Sequence, residues 1–295
     1  MKREIYVFGI DPQKDFCDLP DSWCPEVIDP ENPANGLIKV KPALPVPGAH
    51  EDMLRFGELI KKGYKGITDI TITLDSHHHV GIERPTLWRD AAGNAVSPFT
   101  EITAASVRAG QYLPRDMRIL PKVLAYLDAL EAKGLYKLMI WTIHCEIGTW
   151  GHSVHDAVRS AYNVWEEKEL GIVQKVTKGS NPWTEHYSAL MAEVPDPDDH
   201  TTQLNTELIK YLDKGDLILV GGEAGSHCVK ATMEHLVDNF GADSVKKIVL
   251  LRDCISAVAG FEQQYQNFLT DMQSKGVQVA TSTEILPELI ANSRR

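Results

Sequence analysis

A three-layer α/β/α fold, with a doubly wound, mostly parallel sheet covered by helices on both faces, is what two features of the 295-residue sequence predict. Short apolar, β-branched runs recur along the chain without the polar alternation of a half-exposed strand, as parallel strands buried on both faces require. Between them lie longer segments with apolar residues at helical spacing, and strand alternating with helix argues for a parallel sheet.

The predicted strands are residues 5–10, 67–74, 138–143, 217–220, 248–251 and 277–280, and the predicted helices include 51–62, 121–132, 227–239 and 261–274. Three stretches break the rhythm: 17–48, rich in Pro and acidic residues; 80–118, containing GIERPTLWRDAAGNAVSPF; and a polar loop near 193–204. They read as insertions in one domain spanning 1–295, the first two framing an active site or building an oligomer contact.

Hydrophobic residues at 43% and charged residues at 24% are ordinary globular values, with enough apolar material for a large core. The net charge of −11 argues against nucleic-acid and anionic-membrane surfaces and favours a small neutral or cationic ligand. The opening MKREIYVFGIDPQ has too short an apolar run, and too early an acidic residue at Asp11, for a signal peptide. No stretch nears the roughly 18 apolar residues of a membrane span. Five cysteines without a CxxC pair argue against a disulfide framework or structural zinc, and suit a reducing cytoplasm.

In open α/β sheets, ligands bind beyond the carboxyl ends of the strands, so the residues that follow each strand are the candidates. Asp11 follows the first strand, where a lone carboxylate is otherwise commonly a turn former. After the second, Asp75 and His77 stand two apart and so project to one side, while His78 points away. Carboxylate and imidazole suit zinc, iron or manganese, although three consecutive histidines also describe a solvated loop. His144, at the end of the third strand, would be a third ligand or a histidine buried against backbone.

The fourth strand leads through a small-residue turn into a helix beginning near Cys228. A thiol there feels the positive end of the helix dipole, which favours thiolate, and free amides of the turn offer an oxyanion hole. Cys145 competes as a thiol after a strand, without a helix start directly behind it; Cys17, Cys24 and Cys254 have less in their favour. A nucleophilic thiol needs a base and a charge partner. Asp11 could serve as base, and Lys175 and Lys178 are both available as cation, with Lys178 in the turn after a short strand.

These residues sit in motifs that resemble the nicotinamidases among the isochorismatase-like cysteine hydrolases: IDPQKDFC (10–17), PVPGA (45–49), LDSH (74–77), WTIHCEIGTWG (141–151), KGSNPWTEHYSAL (178–190) and GGEAGSHCVKAT (221–232). The resemblance runs from Ile5 to Ile285 and implies the isochorismatase-like hydrolase fold. It implies a triad of Asp11, Lys178 and Cys228, and one divalent metal ion, zinc first with iron or manganese as alternatives, on Asp75, His77 and His144. Phe16, Trp141 and Tyr187 take the positions that sandwich a pyridine ring, and the amides of Ala224 and Cys228 those of the oxyanion hole, after a cis peptide joining Glu223 to Ala224. It also implies a homo-oligomer.

The chain departs from the family at Glu223, where relatives carry an aliphatic residue, at Ser76 in place of tryptophan and at Thr142 in place of proline. Glu223 is therefore expected to touch the substrate and alter specificity. The expected reaction is hydrolysis of a small carboxamide such as nicotinamide through a thioester. The alternatives are another small amide or ester, a hydrolase whose nucleophile is metal-bound water, and a catalytically silent binding protein.

Overall fold

A computed structural model describes residues 2–30, 32–134 and 136–294, so residue 31 of the first insertion lies outside the described residues, as do the two ends and residue 135. Six parallel strands form the central sheet, ordered Gln278–Ala280, Ile248–Leu251, Leu217–Gly222, Ile5–Ile10, Asp69–Asp75, Gln174–Lys178. In chain order this is sixth, fifth, fourth, first, second, third, the doubly wound arrangement. Its direction reverses between the first and fourth strands, where a crevice opens at the carboxyl ends. Ile5–Ile10 and Leu217–Gly222 are buried throughout, as sheet centres must be.

Helices cover both faces. Phe56, from helix Ala49–Gly63, packs beneath Gly9 and Gly221, where a Cβ would stand 3.1 Å and 2.9 Å from its ring carbons. Tyr211, from helix Thr206–Leu212, stacks at 5.3 Å on Tyr6, which points to the opposite face from Gly9. Helix Ala49–Gly63 carries Glu51 and Asp52 in its first turn and Lys61 and Lys62 in its last, each matching the helix dipole. It packs on helices Asp156–Glu169 and Ser282–Asn292. Among the described residues, no helix is long and apolar enough to cross a membrane.

Two expectations are corrected. The segment expected as a sheet strand over 138–143 is a strand only over Leu138–Ile140, and it pairs antiparallel with Thr100–Ile102 outside the main sheet. The sheet edge is occupied instead by Gln174–Lys178, paired along the whole of its length with Thr71 to Asp75. Helix Leu120–Lys133, expected to cover the sheet, packs with the second insertion. There Trp88, Val107, Val123, Leu127 and Ile140 form a separate hydrophobic cluster. The insertion 17–48 contains an exposed antiparallel hairpin, Glu26–Ile28 with Leu37–Lys39.

Candidate active site

The crevice at the reversal point gathers the sequence candidates. Asp11 follows the central strand with φ of 45°, in the left-handed region that Asp tolerates better than most residues. Thr73, on the neighbouring strand, locks it in place: its hydroxyl accepts the Asp11 N–H at 2.9 Å and donates to Asp11 Oδ1 at 2.5 Å. On the other side, Gly222 has φ of 128°, and a Cβ there would collide with the Ile10 carbonyl. That close approach to the first strand delivers the turn 223–227 and helix Cys228–Asn239 to the crevice. The Glu223–Ala224 peptide is cis, as expected.

Lys178 is the last residue of its strand, not a residue of the following turn, and it is the register partner of Asp75. Its Nζ lies 2.9 Å from Asp75 Oδ1, 3.0 Å from Asp11 Oδ2 and 3.5 Å from Cys228 Sγ, and donates to the His186 carbonyl at 2.9 Å. Burial alone would discharge this lysine, but Asp11 and Asp75 outweigh it and hold the ammonium well above its ordinary pKa. Burial likewise pushes Asp11 above the usual carboxylate range, with Lys178 pulling it back.

The Cys228 thiol sits within hydrogen-bonding reach of Asp11. The expected thiolate is corrected: burial pushes the thiol well above its ordinary pKa, Lys178 opposes, and Asp11 and Asp75 add to the rise. The resting arrangement is therefore a thiol beside a carboxylate and an ammonium. Among the described residues, the amides of Ala224 and Cys228 have no hydrogen-bond acceptor. Cys145 is different in kind. It is fully buried, and its backbone N–H donates to Asp15 Oδ2 at 2.7 Å while its carbonyl accepts the His77 N–H at 3.0 Å. All five thiols are free.

Asp75, His77 and His144 bring one donor atom each within 4.8 Å of one another, all buried. Asp75 Oδ2 is 2.8 Å from His77 Nε2 and 3.3 Å from His144 Nε2. The outer nitrogens are engaged: His77 Nδ1 is 3.1 Å from Glu83 Oε1, and His144 Nδ1 is 2.9 Å from the Thr142 carbonyl. The Glu83 carboxylate favours a ring proton on His77 Nδ1, which turns Nε2 toward the other two donors, the arrangement seen in histidine metal sites, while His144 Nδ1 also lies 3.1 Å from the Arg84 guanidinium. With a carboxylate as third donor, the set fits zinc and its neighbours. His77 is raised to about 9, because Asp75 and Glu83 overcome its burial; His144 is lowered to about 4 by burial and Arg84. His144 reaches the site from an irregular segment, since its strand ends at Ile140.

Several supporting residues carry no signal that the sequence reading used. Glu83 and Arg84, both buried, lie in the second insertion. Arg84 donates to Glu83 Oε1 at 2.9 Å, to the Thr142 carbonyl at 2.7 Å and to the His144 carbonyl at 2.9 Å. Gln13 clamps the backbone of Asp75, donating to its carbonyl at 2.8 Å and accepting its N–H at 2.7 Å. An acidic–basic pair beside a proline in GIERP was the available cue for the first two; Thr73 and Gln13 had only their places next to candidates.

Phe16 and Trp141 line a narrow cleft that is also lined by Lys178, Ala224 and Cys228. Trp141 donates its indole N–H to the Tyr187 hydroxyl at 3.0 Å, which sets these two rings as one wall. His227, next to the nucleophile candidate and unnoticed as a wall residue, packs edge-on to Trp141 at 5.1 Å. Glu223 does not line the cleft, which corrects its expected role. Its carboxyl is fully buried beside Asp52, where Oε2 accepts the Ser256 N–H at 3.2 Å, and burial with Asp52 raises its pKa well above the ordinary value.

No protein-family model and no curated protein sequence matches this chain. Solved structures do. A nicotinamidase/pyrazinamidase of Acinetobacter baumanii superposes with a TM-score of 0.55 at 20% identity, over 96% of this chain and 98% of that one. The yeast nicotinamidase gives 0.59 at 19%, over 94% and 99%. PnC1 of L. infantum in complex with nicotinate gives 0.53 at 16%, over 96% and 95%. The chain shares their fold.

Proposed function

We propose, on the premise of a fold shared with solved nicotinamidases, that this chain is a cysteine-dependent hydrolase of a small carboxamide such as nicotinamide, releasing ammonia. The observation that carries the reading is Lys178 Nζ standing within 3.5 Å of Asp11, Asp75 and Cys228 at once.

A thiol at rest needs a base, and Asp11, held by Lys178 and Thr73, is the one within reach. Asp11 takes the Sγ proton as the thiolate forms a bond to the amide carbon. Lys178 stabilises the negative charge that passes from Asp11 to sulfur. The amides of Ala224 and Cys228 receive the oxyanion. The C–N bond then breaks, the nitrogen taking the proton from Asp11 and leaving as ammonia. Water, deprotonated by the same carboxylate, cleaves the thioester and restores the thiol with a free carboxylic acid.

Asp75, His77 and His144 would hold a divalent ion beside this centre. When bound, such an ion supplies Lewis acidity toward a ring nitrogen or a water. Phe16 on one side, and Trp141 with Tyr187 on the other, orient a flat ring in the cleft.

Replacing Cys228 by Ala should abolish ammonia release from nicotinamide and pyrazinamide while the far-ultraviolet spectrum and bound-metal content stay as in the parent. Turnover surviving that change would mean that the sulfur is not the nucleophile.

A further inference from the structure

No step of the proposed reaction uses Glu223, and it does not line the cleft, yet it immediately precedes Ala224 in the turn after strand Leu217–Gly222. Its backbone N–H donates to the Ile10 carbonyl at 2.8 Å. Its carboxyl is fully buried, and Oε2 accepts the Ser256 N–H at 3.2 Å. The Ser256 carbonyl in turn accepts the Gly225 N–H at 2.7 Å. One residue, from the loop after strand Ile248–Leu251, thus holds both neighbours of Ala224. The Ser256 hydroxyl also donates to Asp52 Oδ2 at 2.5 Å, which anchors this bracket to helix Ala49–Gly63.

The charges in this cluster do not balance. Asp52 and Glu223 are both buried and lie within hydrogen-bonding reach of each other, and Asp18 adds a further negative charge nearby. Arg55 supplies the cation, and its Nη2 donates to Asp52 Oδ1 at 2.6 Å. Asp52 therefore has a donor on each oxygen and is the ionised member of the two. Glu223 has no cation partner among the described residues, and its Oε1 has no hydrogen-bond partner. Buried polar atoms are nearly always paired, so the orphan demands an explanation. Two carboxylates that share a buried site do not both ionise, and the one without a cation takes a proton. A protonated carboxyl has an O–H to donate, and Asp52 is the acceptor within reach. One proton settles both the orphan oxygen and the unbalanced charge.

Resting on the reading of the Ala224 amide as part of an oxyanion hole, we infer that Glu223 is a positioning residue for the reaction. As a neutral acid it donates to Asp52 and closes a ring of three hydrogen bonds with Asp52 and Ser256. That ring fixes the peptide unit between residues 223 and 224, whose N–H receives the oxyanion. Glu223 touches neither substrate nor sulfur, and it acts on the rate through the direction of one backbone donor.

The test compares Glu223→Gln with Glu223→Leu in ammonia release from nicotinamide and pyrazinamide. Glutamine keeps a donor toward Asp52 and an acceptor for the Ser256 N–H, whereas leucine keeps the bulk and loses both. Glu223→Leu should lower kcat about tenfold with KM within about twofold, short of the roughly 100-fold that outright loss of an oxyanion donor costs. Glu223→Gln should hold kcat within about twofold of the parent, since both bonds survive. The proton is read separately. An infrared difference spectrum of the parent against Glu223→Gln at neutral pH should show the carbonyl stretch of a buried, protonated carboxylic acid in the parent only. Parent-like kcat in Glu223→Leu, a loss carried by KM, or Glu223→Gln as slow as Glu223→Leu overturns the positioning role while leaving the hydrolase reading intact. A missing carbonyl band means that Glu223 is ionised, and it overturns the inference whatever the rates. No turnover of any amide by the parent sinks the hydrolase reading and the positioning role together, and the band then decides the shared proton alone.

Discussion

Asp75 and Lys178 face each other as register partners on adjacent parallel strands, and their side chains meet in a buried ion pair at 2.9 Å. The same ammonium lies 3.0 Å from Asp11. One cation therefore neutralises both the carboxylate beside the thiol and the carboxylate of the ion site. The doubly wound strand order places all four groups at the carboxyl ends of adjoining strands.

Removing that cation should be costly in stability as well as rate. Lys178→Met leaves Asp11 and Asp75 buried without a positive partner, and losing one member of a buried pair costs about 3–5 kcal/mol. Urea denaturation should show a fall of that order. A loss below about 1 kcal/mol, the range of exposed pairs, would mean that water already screens the pair.

Thr73→Val tests how Asp11 is held. Valine keeps the shape but removes the hydroxyl that donates to Asp11 Oδ1 and accepts the Asp11 N–H. The kcat for ammonia release should drop about tenfold with KM little changed, in line with a lost hydrogen bond to a charged group. An unchanged kcat would show that Lys178 alone orients Asp11.

The outer shell of the ion site is open to a binding measurement. Glu83→Gln weakens the acceptor on His77 Nδ1, and such partners are worth about 10–100-fold in metal affinity. Competition with a chromophoric chelator should report zinc affinity lowered within that range. Parent-like affinity would leave Glu83 as a partner of Arg84 only.

A pH-dependent effect is expected at Glu193. Burial and Glu185 raise it to about 8, while Lys133 and Lys230 act in the opposite sense. A carboxyl whose folded pKa exceeds its unfolded one stabilises the fold below the unfolded value, near 4.5, and that contribution is lost as pH rises to about 8. Glu193→Gln should therefore gain Tm relative to the parent on going from pH 5 to pH 9, by calorimetric scanning. A difference constant across that range would place the group in water.

What could be read from the sequence was what local pattern encodes. The runs at 5–10 and 248–251 became strands at those same bounds, since continuous apolar segments suit a strand buried on two faces. The run at 138–143 looks the same by that criterion, yet its strand pairs with Thr100–Ile102 outside the main sheet. Asp75, His77 and Cys228 were marked by spacing and by the helix start, whereas Lys178 needed the family resemblance. The protonation of Cys228 was not legible, because the helix start is a local feature while its burial and the nearby carboxylates arise from distant strands. For the same reason Glu223 looked like a residue of the cleft, yet its carboxyl turns toward Asp52 and Ser256.

Glu83 and Arg84 belong to a segment folded around a hydrophobic cluster of its own, yet their side chains brace two histidines of the central crevice. The second insertion is thus no removable ornament. A trimmed chain, closed by a short linker from residue 80 to 118, would keep all six strands and the groups around Lys178. It would forfeit the struts that aim His77 and His144, so miniaturising this scaffold would separate the proposed thiol chemistry from the proposed hold on an ion.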